Sequence, residues 1–590
     1  MSSAIASAPE SEAEVEAPVR RSRWLPTGRT VFVTFTTVSL IYLIIGPLLV
    51  LIFSSFRTGR NLLPFERAAE WTFLNYVDVF GSSATYSVMW NTFIYAAGAL
   101  SLSFSLSIVL AWLVERTTIP FRSTIYIVVI ASLGIPAVLN AISWGLLLNP
   151  RTGAINIFIR LFRPGLVEGP LDVYTMYGMI FVQGVTMVPI TFLLITAAFR
   201  AMDSVLEEAA LISGAPFATS VRRITVPILT PALLSALVYQ LVTVVESFDI
   251  PLVIGLRGNI PVLSTRIFLE VRPALGLPNY GLASTYSVLM LMIAAVPLFY
   301  YQFIIGKSER FGTVSGKDYR QKRYDLGKWK PLVLILVFAY LFASVGLPLL
   351  MLVWTSLQPF YAPPSLDALS RANFSAYQVM WTNPTFGLAL WNTFIVGFVT
   401  AVTTMVMGFS VAWISVRVKT RASKALDVLA FMPHAFPGVI LALSIFLIYL
   451  ILPLNIVSTI WIIIIALATQ YIALSSRVMT SSVVQIKAEL EEAASVSGAK
   501  QWAMMWRIVL PLVRPAFMNG LLLVFLMAIK NLTQALLLYS PRSVVLSTLI
   551  YNRWDNGRVA ETAAVGVFTV AITLVLSVLA RRATQGAGAN

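Results

Sequence analysis

The chain has 590 residues, of which 58% are hydrophobic and only 12% charged, whereas a soluble domain is roughly 45–50% apolar and about 25% charged. That composition excludes a water-soluble enzyme, a secreted protein and a disordered scaffold. The absence of cysteine and the single histidine, His434, exclude disulfides, thiolate metal sites, a cysteine nucleophile and a histidine-based triad or metal cluster, and the net charge of +16 fits basic loops at a membrane face rather than nucleic-acid binding.

Residues 1–30 form a tail rich in Ala, Ser and Glu, with Glu10, Glu12, Glu14 and Glu16 ahead of Arg20, Arg21, Arg23 and Arg29. This composition predicts a disordered, cytoplasmic tail. The apolar run that follows is too long for a signal peptide and predicts a retained first span. Twelve apolar segments then predict membrane helices at about 31–55, 89–114, 123–148, 173–199, 231–256, 283–306, 331–356, 388–415, 425–450, 455–476, 515–540 and 560–580. They are apolar on every face, as in Ile462 to Ala468, which suits helices in lipid and not the period-two alternation of a barrel strand. With the N-terminus inside, 28 of the 42 Lys and Arg fall in inner segments and 13, all Arg, in outer ones. The positive-inside rule therefore predicts cytoplasmic N- and C-termini.

The chain also repeats itself. Trp90-Asn91-Thr92-Phe93 returns as Trp391-Asn392-Thr393-Phe394 at an offset of 301, as do Pro47-Leu48-Leu49, Ala111-Trp112 and Pro136. Glu207-Glu208-Ala209-Ala210 returns as Glu491-Glu492-Ala493-Ala494 at an offset of 284. The first half thus holds 17 extra residues between Pro136 and Glu207, expected in the outer loop Asn149 to Leu171. Six spans per half predict parallel repeats, related by an axis along the membrane normal. The organisation expected is a first repeat at 31–306, a cytoplasmic linker at 307–330, a second repeat at 331–580 and a short cytoplasmic tail at 581–590.

Two inner loops carry the most specific pattern. Glu208-Ala209-Ala210 is followed by three residues, Gly214, nine residues and Ile224-Thr225-Val226-Pro227. Glu492-Ala493-Ala494 is followed by three residues, Gly498, nine residues and Ile508-Val509-Leu510-Pro511. The runs before each Gly are good helix formers, the Gly suits a helix end, and the Pro suits the first turn of the next helix. The spacing resembles the EAA loop of binding-protein-dependent ABC importer permeases, with Val226 in place of the usual Leu. The resemblance covers about residues 31–580. It implies an all-α membrane protein of the type I ABC importer permease fold, with about twelve transmembrane helices in two parallel six-helix repeats.

The resemblance further implies that each loop seats in one of two copies of an ABC ATPase subunit, which binds the ATP and magnesium, and that a periplasmic binding protein delivers the solute. No ATP site is expected in this chain: Gly306-Lys307-Ser308 lacks the Gly that a phosphate-binding loop needs five residues earlier, where Tyr301 stands. The fused layout and the segment Glu246 to Pro251 most resemble the ferric iron, thiamine, polyamine and 2-aminoethylphosphonate group. Ferric iron is the first expectation, although iron-type relatives commonly have an acidic residue where Asn531 stands.

Glu246 and Asp249 fall in the fifth predicted span and Lys530 in the eleventh. Ionisable groups at membrane depth face a cavity or a partner. Glu246 and Lys530 share the 284-residue offset, so they are expected to pair across the pathway or else to serve as structural or snorkelling charges. Asp249, two residues before Pro251, is expected at a broken outer helix end. Pro433-His434-Ala435-Phe436-Pro437-Gly438 resembles a Pro-rich family segment and predicts a kink in the ninth span, with His434 packed at it or lining the pore. The alternative class is a twelve-span secondary transporter driven by an ion gradient. It needs no ATPase loops, and its basic loop between the second and third spans has no counterpart in the short stretch Glu115 to Arg122.

Overall fold

The computed structural model describes residues 28–58, 62–202, 210, 212–214, 216–308, 323–418, 420–499 and 501–587. Among the described residues ten helices are long and apolar enough to cross a membrane. They are Thr30–Ser55, Ser83–Arg116, Met176–Arg200, Val221–Val245 and Tyr280–Pro297 in the first half, and Gly327–Ser356, Pro384–Arg417, Ile460–Gln485, Met505–Ile529 and Val559–Ser577 in the second. The third and ninth spans are broken pairs, Arg122–Gly134 with Ala137–Leu148, bent by 100°, and Arg421–Ala435 with Gly438–Ile451, bent by 107°. These are far sharper than the kink expected from the prolines. Pro136 and Pro437 sit at the two corners, where a residue without an N–H ends one helix and starts the next.

Helix direction decides whether the broken pairs cross. Tyr95 meets Gln183, Ser103 meets Thr191, and Arg116 reaches the carbonyls of Phe199 and Met202. The second and fourth spans therefore run in the same direction, and the chain between them must traverse the layer once. In the second half, the site a side chain would occupy at Gly408 abuts Ser475 and Arg417 bonds the carbonyl of Ile486. The eighth and tenth spans are likewise parallel, and the ninth must cross. Twelve crossings follow, six per half, and an even number makes the repeats parallel.

The repetition extends to local irregularities. Wide helical turns occupy Ile41–Ile45, Phe342–Gly346, Val221–Thr225 and Met505–Val509. In each, the next N–H donates five residues back, from Gly46 to Ile41, Leu347 to Phe342, Val226 to Val221 and Leu510 to Met505. Pro47, Pro348, Pro227 and Pro511 come directly afterwards. A proline ring collides with the carbonyl four residues back, and a widened turn moves that carbonyl aside.

The Trp-Asn-Thr-Phe motif also gains a purpose. Trp90, Phe93, Trp391 and Phe394 are exposed on the outer surface of their helices. Thr92 accepts from Leu263 N–H at 2.9 Å and Thr393 from Leu546 N–H at 2.8 Å. Asn91 donates to the carbonyl of Pro261, and Asn392 to those of Arg542 and Val544. Each motif thus clamps the start of a short helix, Leu263–Val271 or Leu546–Asp555.

Two expected spans are shortened. The fifth, placed at 231–256, ends at Val245, and the eleventh, placed at 515–540, ends at Ile529. Beyond each, the helix breaks for a few residues and resumes as a short buried helical piece, Pro251–Gly255 or Thr533–Leu537, and backbone groups at the break need partners because no water supplies them. Ser264 Oγ donates to the Ser247 carbonyl at 2.7 Å, and Ser547 Oγ to that of Asn531 at 2.9 Å. The tenth span, placed at 455–476, runs instead over Ile460–Gln485. The loop after the third span carries an additional helix, Ala154–Phe162, where the extra residues of the first half were expected.

The halves interlock. Leu40 and Ile44 of the first span pack with Val411, Ile414 and Ile472 of the second half. Val337 and Leu341 of the seventh span pack with Leu110, Val129 and Phe192 of the first. Each repeat lends its leading helix to the other.

Candidate functional site

The helix Ala488–Val496 leaves the tenth span after a turn at Ile486. Its last helical bond runs from Ser497 N–H to the Ala493 carbonyl at 3.1 Å, and Ala499 N–H reaches back to the Ala494 carbonyl at 3.0 Å, the long bond of a left-handed helix cap. Gly498 lies between them with φ +79°, and nothing stands within 4 Å of where its Cβ would be. The backbone angle, not crowding, requires glycine there. A short helix, Gln501–Met504, then leads through the widened turn into the eleventh span. In the first half Gly214 has φ +76°, Ala210 and Ile212 are helical, and Phe217–Ser220 forms the second short helix. Glu208, Ala209 and the side chain of Glu492 lie outside the described residues. Ala493 is exposed and Ala494 half-buried.

The tips of these two knobs share one chemistry. Ile212 is 87% exposed and Val496 88% exposed, and they stand at equivalent positions of the 284-residue repeat. Each is an aliphatic side chain two residues ahead of the turning glycine.

Two arginines absent from the sequence reasoning anchor the span ends beside the knobs. Arg417, the last residue of the eighth span, binds Glu491 at 2.7 Å and the Ile486 carbonyl at 2.9 Å. Its equivalent Arg116 binds the carbonyls of Phe199 and Met202 at 3.3 and 3.4 Å, beside the Glu115–Arg200 ion pair at 2.7 Å. The 301-residue offset relates Arg116 to Arg417 and was the signal that could have found them. The end of the linker lies on the same face: Tyr324 N–H donates to the Arg116 carbonyl, and Thr118 N–H to that of Tyr324. Asp325 accepts from Thr118 Oγ1 and pairs with Lys330 at 2.9 Å. The Lys330 ammonium, the Thr118 hydroxyl and the Gly327 N–H hold its carboxyl down to about 2.

The second feature is a cavity of about 270 Å³ between the halves, lined among others by Asn140, Thr186, Asp249, Tyr471, Lys530 and Asn531. Lys530 caps the end of the eleventh span, and its Nζ donates to the Leu133 carbonyl at 2.7 Å. That carbonyl belongs to the corner of the third span, where the bend at Pro136 leaves it without a helical partner. Lys530 makes no ion pair with Glu246, contrary to the expected pairing; Glu246 caps the fifth span and is not among the cavity's lining residues. The cross-repeat contact instead joins the next equivalent pair. Thr533 Oγ1 donates to Asp249 Oδ1 at 3.2 Å, and these residues are 284 apart. Asp249 does lie beyond the broken end of its helix, as expected.

A polar network extends from the cavity. Asn531 donates to Tyr471 Oη and accepts from Gln534 N–H, and Gln534 donates to Gln470. His434 is half-buried and stacked on Tyr239 at 5.0 Å, with Phe431 at 5.6 Å, so it is a packed corner residue. Among the described residues no group of three or more His, Cys, Asp or Glu is placed to hold a metal ion.

Knobs of this kind on one face, and a polar break between two parallel repeats, can couple an external motion to an internal opening. Residues 404–585 match the family model of binding-protein-dependent transport system inner membrane components. The chain is 24% identical over 446 residues to the ferric transport system permease protein FbpB of Actinobacillus pleuropneumoniae, covering 72% of this chain and 63% of that one. It is 26% identical over 372 residues to the putative ferric transport system permease protein FbpB 1 of Haemophilus influenzae, covering 62% and 57%. The chain thus spans less than two thirds of the length of these two relatives. A putative 2-aminoethylphosphonate transport system permease protein PhnV of Salmonella typhimurium is 27% identical over 200 residues, 34% of this chain and 76% of that one. Among solved structures, a bacterial ABC transporter involved in import of the acidic polysaccharide alginate aligns with TM-score 0.36 and 20% identity, over 43% of this chain and 94% of that one.

Proposed function

We propose that this chain is the membrane-spanning subunit of an ATP-driven importer in a bacterial inner membrane, a reading supported by the family match over residues 404–585. The two knobs each seat in one copy of an ABC ATPase, which binds ATP and magnesium. A periplasmic binding protein docks on the opposite face and releases its solute between the halves. The observation that carries this reading is the matched pair of exposed aliphatic residues, Ile212 and Val496, each held out by a left-handed glycine. An apolar tip in water gains free energy by entering a cleft. ATP-driven closure of the ATPase pair draws the knobs together, and the bonds of Arg116 and Arg417 pass that motion to the second and eighth spans. The cavity then opens alternately to either side, driven by the preference of ATP for the closed state.

The cargo proposed is ferric iron, after the names of the two ferric transport relatives described above. The test is uptake into proteoliposomes holding this chain, its ATPase and its binding protein. Uptake of radioactive iron that requires ATP is expected. Uptake driven by an ion gradient without the ATPase would remove the importer reading. Because the chain has no native cysteine, cysteines at Ser497 and Ser365 report orientation cleanly. In intact cells an impermeant thiol reagent should label the second and spare the first, and the reverse pattern overturns the cytoplasmic placement of the knobs.

A further inference from the structure

The cavity between the halves holds more unmet polar capacity than its own contacts consume. Asn140 is 8% exposed, and its Nδ2 donates to Thr186 Oγ1 at 2.6 Å. Thr186 spends its only proton on the Val182 carbonyl, so the amide orientation of Asn140 is fixed and its oxygen is the free end. That Oδ1 is buried without a hydrogen-bond partner, a condition that is costly unless something fills it. Lys530 uses one of three ammonium protons on Leu133. Asp249 receives one hydroxyl, from Thr533, through Oδ1. The cavity is also lined by Ala137, the first residue of the 12-residue helix Ala137–Leu148; the Leu139 and Asn140 N–H groups close on the Pro136 carbonyl, which leaves those of Ala137 and Val138 at a helix start of positive potential.

These groups divide into two kinds. Lys530 and the helix start at Ala137 favour an oxyanion. Asp249 and Asn140 Oδ1 accept hydrogen bonds and favour a positive centre. We propose that the cavity is a binding site for a small solute that joins an oxyanion to a positive centre, the oxyanion taken by Lys530 and the helix start at Ala137, the positive centre by Asp249 and Asn140. At about 270 Å³ the space lies below the ~300–1,000 Å³ of sites for drug-sized ligands, which limits the solute to a few functional groups.

This inference rests on the transport reading and deepens it. A bare ferric ion is a hard cation that needs several oxygen ligands; here it would meet one carboxylate and an ammonium. Iron fits this site only as a complex in which carboxylate or phosphate groups face Lys530. A zwitterionic amine with a phosphonate or carboxylate presents the same two ends without a metal. The shared chemistry is the oxyanion beside a positive centre.

The test is equilibrium binding to the full-length chain in lipid nanodiscs, without ATP, ATPase or binding protein. Failure of ATPase coupling therefore cannot be mistaken for failure of the site. Four probes are compared: 2-aminoethylphosphonate, ferric citrate, ethylphosphonate and ethylamine. At least one of the first two should bind ten-fold or more tighter than both single-function analogues, and which one does so identifies the source of the chemistry. Lys530→Met should weaken that probe at least ten-fold, and Asp249→Asn and Asn140→Leu each at least three-fold, in variants that keep the ligand-free melting temperature. If a variant fails to fold, the comparison of the four probes on the unaltered chain still decides. Equal binding of all four, or binding of none, overturns the proposal. So does a tight probe that folded Lys530→Met and Asp249→Asn bind unchanged.

Discussion

At the end of the fifth span the Ser264 hydroxyl closes on the Ser247 carbonyl, and at the end of the eleventh the Ser547 hydroxyl closes on that of Asn531. Thr92 and Thr393 clamp the short helices that follow. The two breaks are the same backbone device made twice. Their side chains toward the axis are not. The first break carries Glu246 and Asp249, and the second carries Lys530 and Thr533 at the same positions. Positions that satisfy backbone groups in lipid repeat because the cost of leaving those groups unpaired is the same in both halves. Positions that face the space between the halves have no such constraint, and there a duplicated chain builds one asymmetric site rather than two equal ones.

The sharpest way to break this comparison is at a backbone position. Gly498→Pro forces φ near −65° on a residue at +79°, and should abolish transport-linked ATP hydrolysis while leaving membrane insertion intact. Gly498→Ala, with a left-handed penalty of about 1–2 kcal/mol, should retain part of it. The matching changes at Gly214 should act in the same direction, and normal ATPase stimulation in both proline variants would remove the knobs from the mechanism. Next in size is Arg417→Met, which strips Glu491 and the Ile486 carbonyl of a charged donor. Bonds of that kind are worth about 1.5–3 kcal/mol, so ATPase affinity in a titration should fall roughly ten-fold or more. Arg116→Met should have a similar effect if the two ends work alike.

At the divergent positions the contrast is finer. A double-mutant cycle on Asp249→Ala and Thr533→Val, read by thermal unfolding, should show a coupling of about 1 kcal/mol, whereas Glu246→Gln with Lys530→Met should be additive within ~0.5 kcal/mol. Strong coupling in the second cycle would restore the pairing that sequence equivalence suggests. The smallest effect concerns the linker end. The Asp325 carboxyl is held down to about 2 by Lys330, Thr118 and Gly327, below its unfolded value near 3.9. A depressed carboxylate contributes stability above the unfolded value and loses it as pH falls through the folded one. Protection of the Thr118 and Tyr324 amides from hydrogen exchange should therefore weaken between about pH 4 and pH 2. Equal protection across that window would mean that Asp325 does not hold the linker end.

Much of the architecture is written in local patterns. Apolar runs mark the spans, and the two glycine-centred loops mark the knobs, because length in lipid and a left-handed turn each demand particular residue types. The right-angle corners of the third and ninth spans are not so marked. A proline announces a break, but at the 100° corner of the third span the freed carbonyls of Leu133 and Gly134 are caught by Lys530 and Thr573, 397 and 439 residues away in sequence. Of the two readings open for Glu246 and Lys530, the ion pair is not formed in this structure, for a related reason. Equivalence by offset fixes depth, but the helix ends at Val245 and Ile529 turn the two side chains differently, and the bend at Pro136 supplies Lys530 with a nearer carbonyl. Asn140 had no sequence signal at all, since its equivalent in the second half is Leu441.

The second and eighth spans are 34 residues each, which makes them rods of about 51 Å at 1.5 Å per residue, far longer than the ~30 Å hydrocarbon layer. Each is gripped at its inner end by Arg116 or Arg417 and, near its outer end, grips a short helix through Thr92 or Thr393. Such a rod has mechanical advantage. A tilt of about 10° about the inner end swings the outer end by roughly 9 Å for a rod of this length, and the clamped helix beyond each break travels with it. A small displacement at the knob end is thereby magnified at the opposite end, where a 3.2 Å contact between Asp249 and Thr533 needs to open by only a fraction of that distance. Stiffness of these two helices, rather than strength of any one contact, then sets how far the stroke carries, and a flexible Gly-Gly insertion midway along either rod should leave both ends folded and disconnect them.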